Sequence, residues 1–349
     1  IVGSVRCVIR DSCECEVLGY TGKPDSYYRA IINWVKQRYD LDVTKEMINF
    51  VPGIVPGIGM AMNSFTRPGD KVMIQPPVYH PFAWVTTRNE RTLVTNPLKW
   101  ENGMYRMDLD AFREQVKGCK LFILCNPHNP GGVVWTEDEL RTVAEICYEE
   151  KVLVFSDEIH ADLTLPPYKH RPFATISEKA KMNSVTFMSP SKAFNMPGLA
   201  ASHAIIFNED LRARFRKFMD AGELDMGHVF AFLSVEAAYT HGTEWLDQCL
   251  AYIQGNIDYV DNFLKTHAPR IKAIRPQASY LVWLDCRELG LNQEALNDFF
   301  ADKAHLALND GAMFGKEGTG YMRLNVASPR SVIEQAMKQL AEAYQAMSF

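Results

Sequence analysis

The chain has 349 residues, room for roughly two domains at about 150 residues each. Hydrophobic residues make up 47% and charged residues 23%, a globular balance that excludes a disordered, collagen-like or coiled-coil protein. A formal charge of −5 gives no bulk attraction to nucleic acid, and no apolar run approaches the ~20 residues of a membrane span.

Residues 26–39 place apolar side chains at helical spacing behind Asp25 and Ser26, either of which suits an N-cap. Leu41 to Val51 leads into a glycine-rich stretch, Gly53-Ile54-Val55-Pro56-Gly57-Ile58-Gly59, and a helix is expected from Ile58 to Phe65. Arg67-Pro68-Gly69-Asp70 reads as a turn, and residues 71–75 as a short buried strand. Further strands are expected at 120–125, 152–156, 184–188 and 204–207. Residues 136–150 read as a helix capped by Thr136, with Glu139 three residues on to close a capping box. This alternation implies a mostly parallel sheet covered on both faces, with ligands at the carboxyl ends of its strands.

Past residue 243 the pattern changes. Glu244 to Thr266 is one long helical pattern, followed by a strand at 279–284, a helix at 292–303, a strand at 321–326 and an amphipathic helix at 331–347. The expected organisation is an α/β fold with a large domain over 23–243. Residues 1–22 and 244–349 form an N-terminal segment and a smaller C-terminal α/β domain, joined to the first by the helix 244–266.

Ile1 stands where an initiator Met would, so the chain reads as beginning inside a longer protein, and no secretory signal is visible. The eight cysteines are scattered, which points to free thiols in a reducing compartment, the cytoplasm. Cys13 and Cys15 have no second pair to complete a zinc site, so no metal is expected.

Three segments carry chemistry, each just past an expected strand. Ser189-Pro190-Ser191-Lys192-Ala193-Phe194-Asn195 sets a lysine among small polar residues, a candidate for Schiff-base chemistry. Taken alone, such a lysine reads more readily as a solvated surface residue. Thirty-five residues earlier, Asp157 follows a run of apolar residues in Phe155-Ser156-Asp157-Glu158-Ile159-His160. A carboxylate there is either buried and paired or at the mouth of a site. Asn126-Pro127-His128-Asn129-Pro130-Gly131-Gly132 is made of turn residues, and a plain turn is its simplest reading.

In this order the three segments resemble pyridoxal 5'-phosphate (PLP) enzymes of the aspartate aminotransferase fold, fold type I, from about Tyr20 to Arg330. Gly19-Tyr20-Thr21-Gly22, Pro77-Val78-Tyr79-His80-Pro81-Phe82, Ser156-Asp157-Glu158-Ile159-His160 and the Ser-Lys-Ala-Phe-Asn run narrow the resemblance to the MalY/PatB group of cystathionine β-lyases, or C–S lyases. The resemblance implies a mostly parallel large domain with a smaller C-terminal domain, and α,β-elimination of L-cystathionine- or L-cysteine-type substrates to pyruvate, ammonia and a thiol. It implies that Lys192 holds PLP and moves the Cα proton, and that Asp157 pairs with the ring nitrogen and keeps it protonated. Asn129 and His160 would stand near the ring's 3-oxygen, and Tyr79 would stack on the ring. The backbone of Ile54 and Val55 would receive the phosphate, with Ser189 and Ser191 adding hydroxyls. Tyr20 would reach the phosphate of the neighbouring subunit in a homodimer, and Arg323 would clamp the substrate carboxylate. Each has a plainer reading: half-buried aromatics for Tyr20 and Tyr79, a core histidine for His160, an ion-pair partner for Arg323. His128 reads as part of the turn.

Two departures from the family pattern stand out. Aminotransferases of this fold often have an arginine eight residues after the lysine, where this chain has Ala200, as in the lyase group. Nothing before Tyr20 matches the Trp and acidic-aromatic cluster that lines the family's pocket. An aminotransferase is the alternative enzyme. A PLP-binding regulator would carry a fused DNA-binding region, and a catalytically dead scaffold would not keep Lys192, Asp157, Asn129 and Arg323 together.

Overall fold

The computed structural model describes residues 21–347. Its strands are β1 (Ile48–Val51), β2 (Lys71–Ile74), β3 (Thr92–Thr95), β4 (Lys99–Glu101), β5 (Met104–Arg106), β6 (Cys119–Cys125), β7 (Leu153–Asp157), β8 (Ser184–Met188), β9 (Ser202–Ile205), β10 (Lys272–Ile274), β11 (Leu281–Asp285), β12 (Asn309–Asp310) and β13 (Tyr321–Asn325). Seven of them form one sheet in the order β1-β9-β8-β7-β6-β2-β3. All its pairs are parallel except those β9 makes with β1 and β8. The expected mostly parallel sheet is therefore present.

Alternate residues of the central strands feed two cores. Val72, Ile74, Leu121 and Ile123 pack with Ile58, Met62 and Phe215, from the helices Ile54–Phe65 and Glu209–Ala221. Met73, Phe122, Leu124 and Val154 pack with Leu140, Val143 and Cys147 of the helix Glu137–Glu149. A strand buried on both faces must be apolar at every position, which is why Lys-Leu-Phe-Ile-Leu-Cys shows no alternation. The helix on the second face begins with the expected capping box, Thr136 and Glu139 exchanging hydrogen bonds.

The second sheet runs β10-β11-β13-β12 and is antiparallel throughout. The long helix Thr243–His267 and the helix Arg330–Gln345 share a third core with Val282, Leu284 and Leu324 of this sheet.

Several boundaries differ from expectation for local reasons. The first described helix, Asp25–Tyr39, starts after Pro24 with no side-chain cap, and Asp25 instead pairs with Lys45 at 2.5 Å. The helix expected from Ile58 begins at Ile54. Pro56 is tolerated because it sits in the first turn, where its missing N–H would have had no helical partner. The helix expected over 292–303 is an α-helix only over Gln293–Asp298 and continues as a π-helix over Phe299–Lys303.

Candidate active site

β6, β7 and β8 are parallel neighbours in register, with Cys125 beside Asp157 and Asp157 beside Phe187. Their carboxyl ends thus deliver Asn126–Asn129, Asp157 and Ser189–Lys192 to one rim of the sheet. The Asn126 N–H donates to the Asp157 carbonyl at 2.9 Å, and the Glu158 N–H to the Phe187 carbonyl at 2.9 Å. A cavity of about 370 Å³ opens at this rim. Of the residues expected at a site, Ile54, Val55, Tyr79, Asn129, Asp157, His160, Ser191, Lys192 and Arg323 all line it. Tyr20 lies outside the described residues.

Ser189 stands one layer back. It donates to the Ala201 carbonyl at 2.7 Å, lies 2.8 Å from the Ser191 hydroxyl and accepts from the Ser191 N–H at 3.1 Å. Its hydroxyl holds Ser191 and the strand opposite.

Asp157 is fully enclosed and accepts the Ile159 N–H at 3.1 Å. Burial pushes its carboxyl up to about 7, aided by the neighbouring Glu158, while the Ile159 N–H and Lys192 pull the other way. Burial and the Arg323 charge lower the Lys192 ammonium, and Asp157 partly offsets them. His160 is buried, and burial with the nearby Lys192 and Arg323 charges brings it down to about 3, so it is neutral. Its Nδ1 has no partner among the described residues.

Asn129 is the hub of the rim. Its carbonyl accepts the Tyr79 N–H at 3.0 Å, its own N–H donates to Cys125 Sγ at 3.3 Å, and its side-chain oxygen accepts from Arg323 Nη1 at 2.9 Å. Arg323 reaches it from β13 in the second sheet, and its Nη2 donates to Asn309 Oδ1 at 2.7 Å. The guanidinium lies 4.7 Å over the Phe314 ring, and its buried Nε has no partner among the described residues. No described carboxylate stands within ion-pair distance of Arg323. The ion-pair reading of Arg323 therefore does not hold among the described residues, and its side chain lines the cavity.

At the other end, Gly53 enters the helix Ile54–Phe65 with φ 143°, a conformation reserved for glycine. The Gly57 N–H already donates to the Gly53 carbonyl, and Pro56 has none, so Ile54 and Val55 supply the first-turn N–H groups at the cavity wall. A Cβ on Gly57 would come within 2.8 Å of Val51 Cγ2, so that glycine lets the helix lie directly on β1.

His128 is more than turn chemistry. It is buried, its Nε2 donates to the Pro77 carbonyl at 2.9 Å, and burial lowers it to about 4. It ties the segment bearing Asn129 to the segment bearing Tyr79. Among the wall residues that the sequence reading did not assign to the site are Cys125 and Tyr280. Cys125 ends the strand before the Asn126 segment, which was the available signal, and Tyr280 stands at the start of β11.

The sequence profile of the class I and II aminotransferases matches residues 11–340. The chain belongs to that family. It is 37% identical to cystathionine β-lyase PatB of Bacillus subtilis over 96% of this chain and 87% of the relative. It is 30% identical to protein MalY of Escherichia coli over 95% of this chain and 85% of the relative. Cystalysin of Treponema denticola, solved with PLP, superposes with a TM-score of 0.96 at 34% identity, covering 99% of this chain and 88% of that one.

Proposed function

We propose that this member of the aminotransferase class I and II family is a PLP-dependent carbon–sulfur β-lyase, converting L-cystathionine- or L-cysteine-type substrates to pyruvate, ammonia and a thiol. One observation carries the reading: a single cavity joins Lys192, Asp157 and Arg323, and no carboxylate among the described residues pairs with Arg323. The similarity to PatB and cystalysin, and His160 and Ala200 at their positions, favour the lyase outcome over amino transfer.

The residues present suit PLP. Asp157 is a buried carboxyl whose raised proton affinity would be relieved by a cationic ring nitrogen. The N–H groups of Ile54 and Val55 form an anion cradle at a helix N-terminus, with the Ser191 hydroxyl beside it. When bound, PLP supplies an electron sink for the pair left at Cα.

The protein's own groups do the rest. Lys192 would hold the cofactor and, once free, take the Cα proton; burial and Arg323 favour its neutral, basic form. Tyr79 would lie against the ring, and Asn129 and neutral His160 would orient the ring oxygen. Arg323 receives the α-carboxylate, already aimed by Asn129 and Asn309. The reading includes a homodimer in which Tyr20 of the neighbouring subunit completes the phosphate site. It also takes residues 23–243 as the cofactor-binding domain. The five described cysteines are free thiols, which favours a reducing, cytoplasmic setting. Among the described residues no helix is long and apolar enough to cross a membrane.

The test is release of pyruvate and thiol from L-cystathionine by PLP-loaded protein without a keto acid. Equal amounts of both over many turnovers support the lyase. Amino transfer that begins only when a keto acid is added, with no thiol released, would make the protein an aminotransferase.

A further inference from the structure

Tyr280 is the one phenol of the cavity wall that the reading above leaves without a task. Its backbone is held from several sides. Ser279 adopts φ 79°, a conformation that non-glycine residues avoid, and is kept there by its N–H donating to the Leu163 carbonyl at 2.9 Å. The Gln277 and Ala278 N–H groups both donate to the Gly132 carbonyl, and the Tyr280 carbonyl accepts the Val326 N–H at 2.9 Å. Gly132 closes the segment that carries Asn129, and Leu163 follows His160 by three residues. The strained turn thus fixes Tyr280 relative to both, and its ring lies 6.2 Å from that of His160.

The hydroxyl itself is unspent. Among the described residues it has no hydrogen-bond partner, although the side chain lines the cavity with Lys192 and Arg323. Burial raises its pKa, so it carries its proton at neutral pH, and the Arg323 charge would stabilise a phenolate if one formed. A proton donor held by strained backbone in the reaction cavity, with no acceptor among the described residues, fits a group that acts on the ligand.

We propose that Tyr280 is the acid that protonates the departing sulfur, an inference that rests on the lyase reading. Lys192 takes the Cα proton, and the Cα–H electron pair ends in the new Cα–Cβ double bond. The Cβ–S bond breaks with its pair on sulfur, which receives the Tyr280 proton and leaves as a neutral thiol. The phenolate, in the field of Arg323, recovers a proton from the Lys192 ammonium. The net change is one proton moved from Cα to sulfur, with no oxidant or reductant.

The experiment compares PLP-loaded wild type and Tyr280→Phe on L-cystathionine, whose alkyl thiolate needs a proton, and on β-chloro-L-alanine, whose chloride does not. The variant should lose about 10²-fold in kcat on L-cystathionine and stay within about threefold on β-chloro-L-alanine. Spectral titration with L-alanine, which has no leaving group, should give the same Kd for both proteins. Equal losses on both substrates, no loss on either, or a weakened L-alanine complex would each overturn the proposal. If the wild type releases pyruvate and thiol from L-cystathionine, the lyase reading stands whatever the variant does. If the wild type releases no thiol from L-cystathionine, both fall together.

Discussion

The two sides of the cavity use their polar groups differently. On the rim of the seven-stranded sheet most are spent on the protein itself: Ser189 on Ala201 and Ser191, Asn129 on Tyr79 and Cys125, His128 Nε2 on Pro77, while His160 Nδ1 has no partner among the described residues. The wall contributed by the four-stranded sheet holds a buried Arg323 Nε and a Tyr280 hydroxyl without partners among the described residues. An unmade hydrogen bond to a buried charged group costs more than a made one gains. A wall that keeps such groups open is arranged for a ligand that comes and goes. A rim that locks most of its groups and leaves Asp157 and His160 to a ligand is arranged to hold one resident molecule in a fixed pose.

If that contrast is right, the largest effect comes from the rim. Lys192→Ala should lower kcat by about 10²- to 10⁴-fold, since it removes the base that moves the Cα proton. It should also abolish the visible absorbance of covalently held PLP. Turnover that survives would take the lysine out of the mechanism. The wall should respond differently. Arg323→Lys keeps the charge and loses the planar fork, so KM should rise about 10- to 100-fold, the worth of a charge-assisted hydrogen bond. Cofactor absorbance should stay unchanged. If the absorbance moves instead of KM, the two sides are not separate devices, and the link between Arg323 Nη1 and Asn129 Oδ1 is the path that joins them.

The rim was far more legible in the sequence than the wall. Its residues sit in contiguous segments directly after apolar runs, and a parallel sheet sends all such segments to one edge. Asp157 and Lys192 needed no knowledge of packing to be placed together. Tyr280 lies in Ala-Ser-Tyr-Leu-Val-Trp-Leu, where nothing distinguishes a cavity phenol from an ordinary strand aromatic. What aims it is a positive φ at Ser279 and hydrogen bonds to residues more than a hundred positions away, which no local pattern records. The early helix start at Ile54 was hidden for the opposite reason. Glycine and proline normally mark a break, but here they build the first turn, one by adopting φ 143° and the other by lacking an N–H.

The smallest effect is a pH dependence of stability, and it probes whether the rim is incomplete without its resident group. In the cofactor-free protein Asp157 is pushed up to about 7 by burial, against about 3.9 in an unfolded chain. Between those values the folded form holds a proton that the unfolded form has given up. Stability from this group therefore falls as pH rises from about 4 to about 7 and does not return above it. His128 and His160, held neutral by burial, push the other way below about pH 6.5, because there the unfolded chain gains their protons. The readout is accordingly the difference between wild type and Asp157→Asn, which shares the histidines and lacks the carboxyl. Thermal melts of the two cofactor-free proteins should show wild type losing Tm relative to the variant as pH rises from about 5 to about 8, by a few degrees. Adding PLP to the wild type should remove most of that loss, since a cationic ring nitrogen pairs with the carboxylate and restores its ordinary preference for the charged form. Parallel curves for the two proteins would mean that Asp157 is already satisfied by the chain itself, and that the rim is not waiting for a cation.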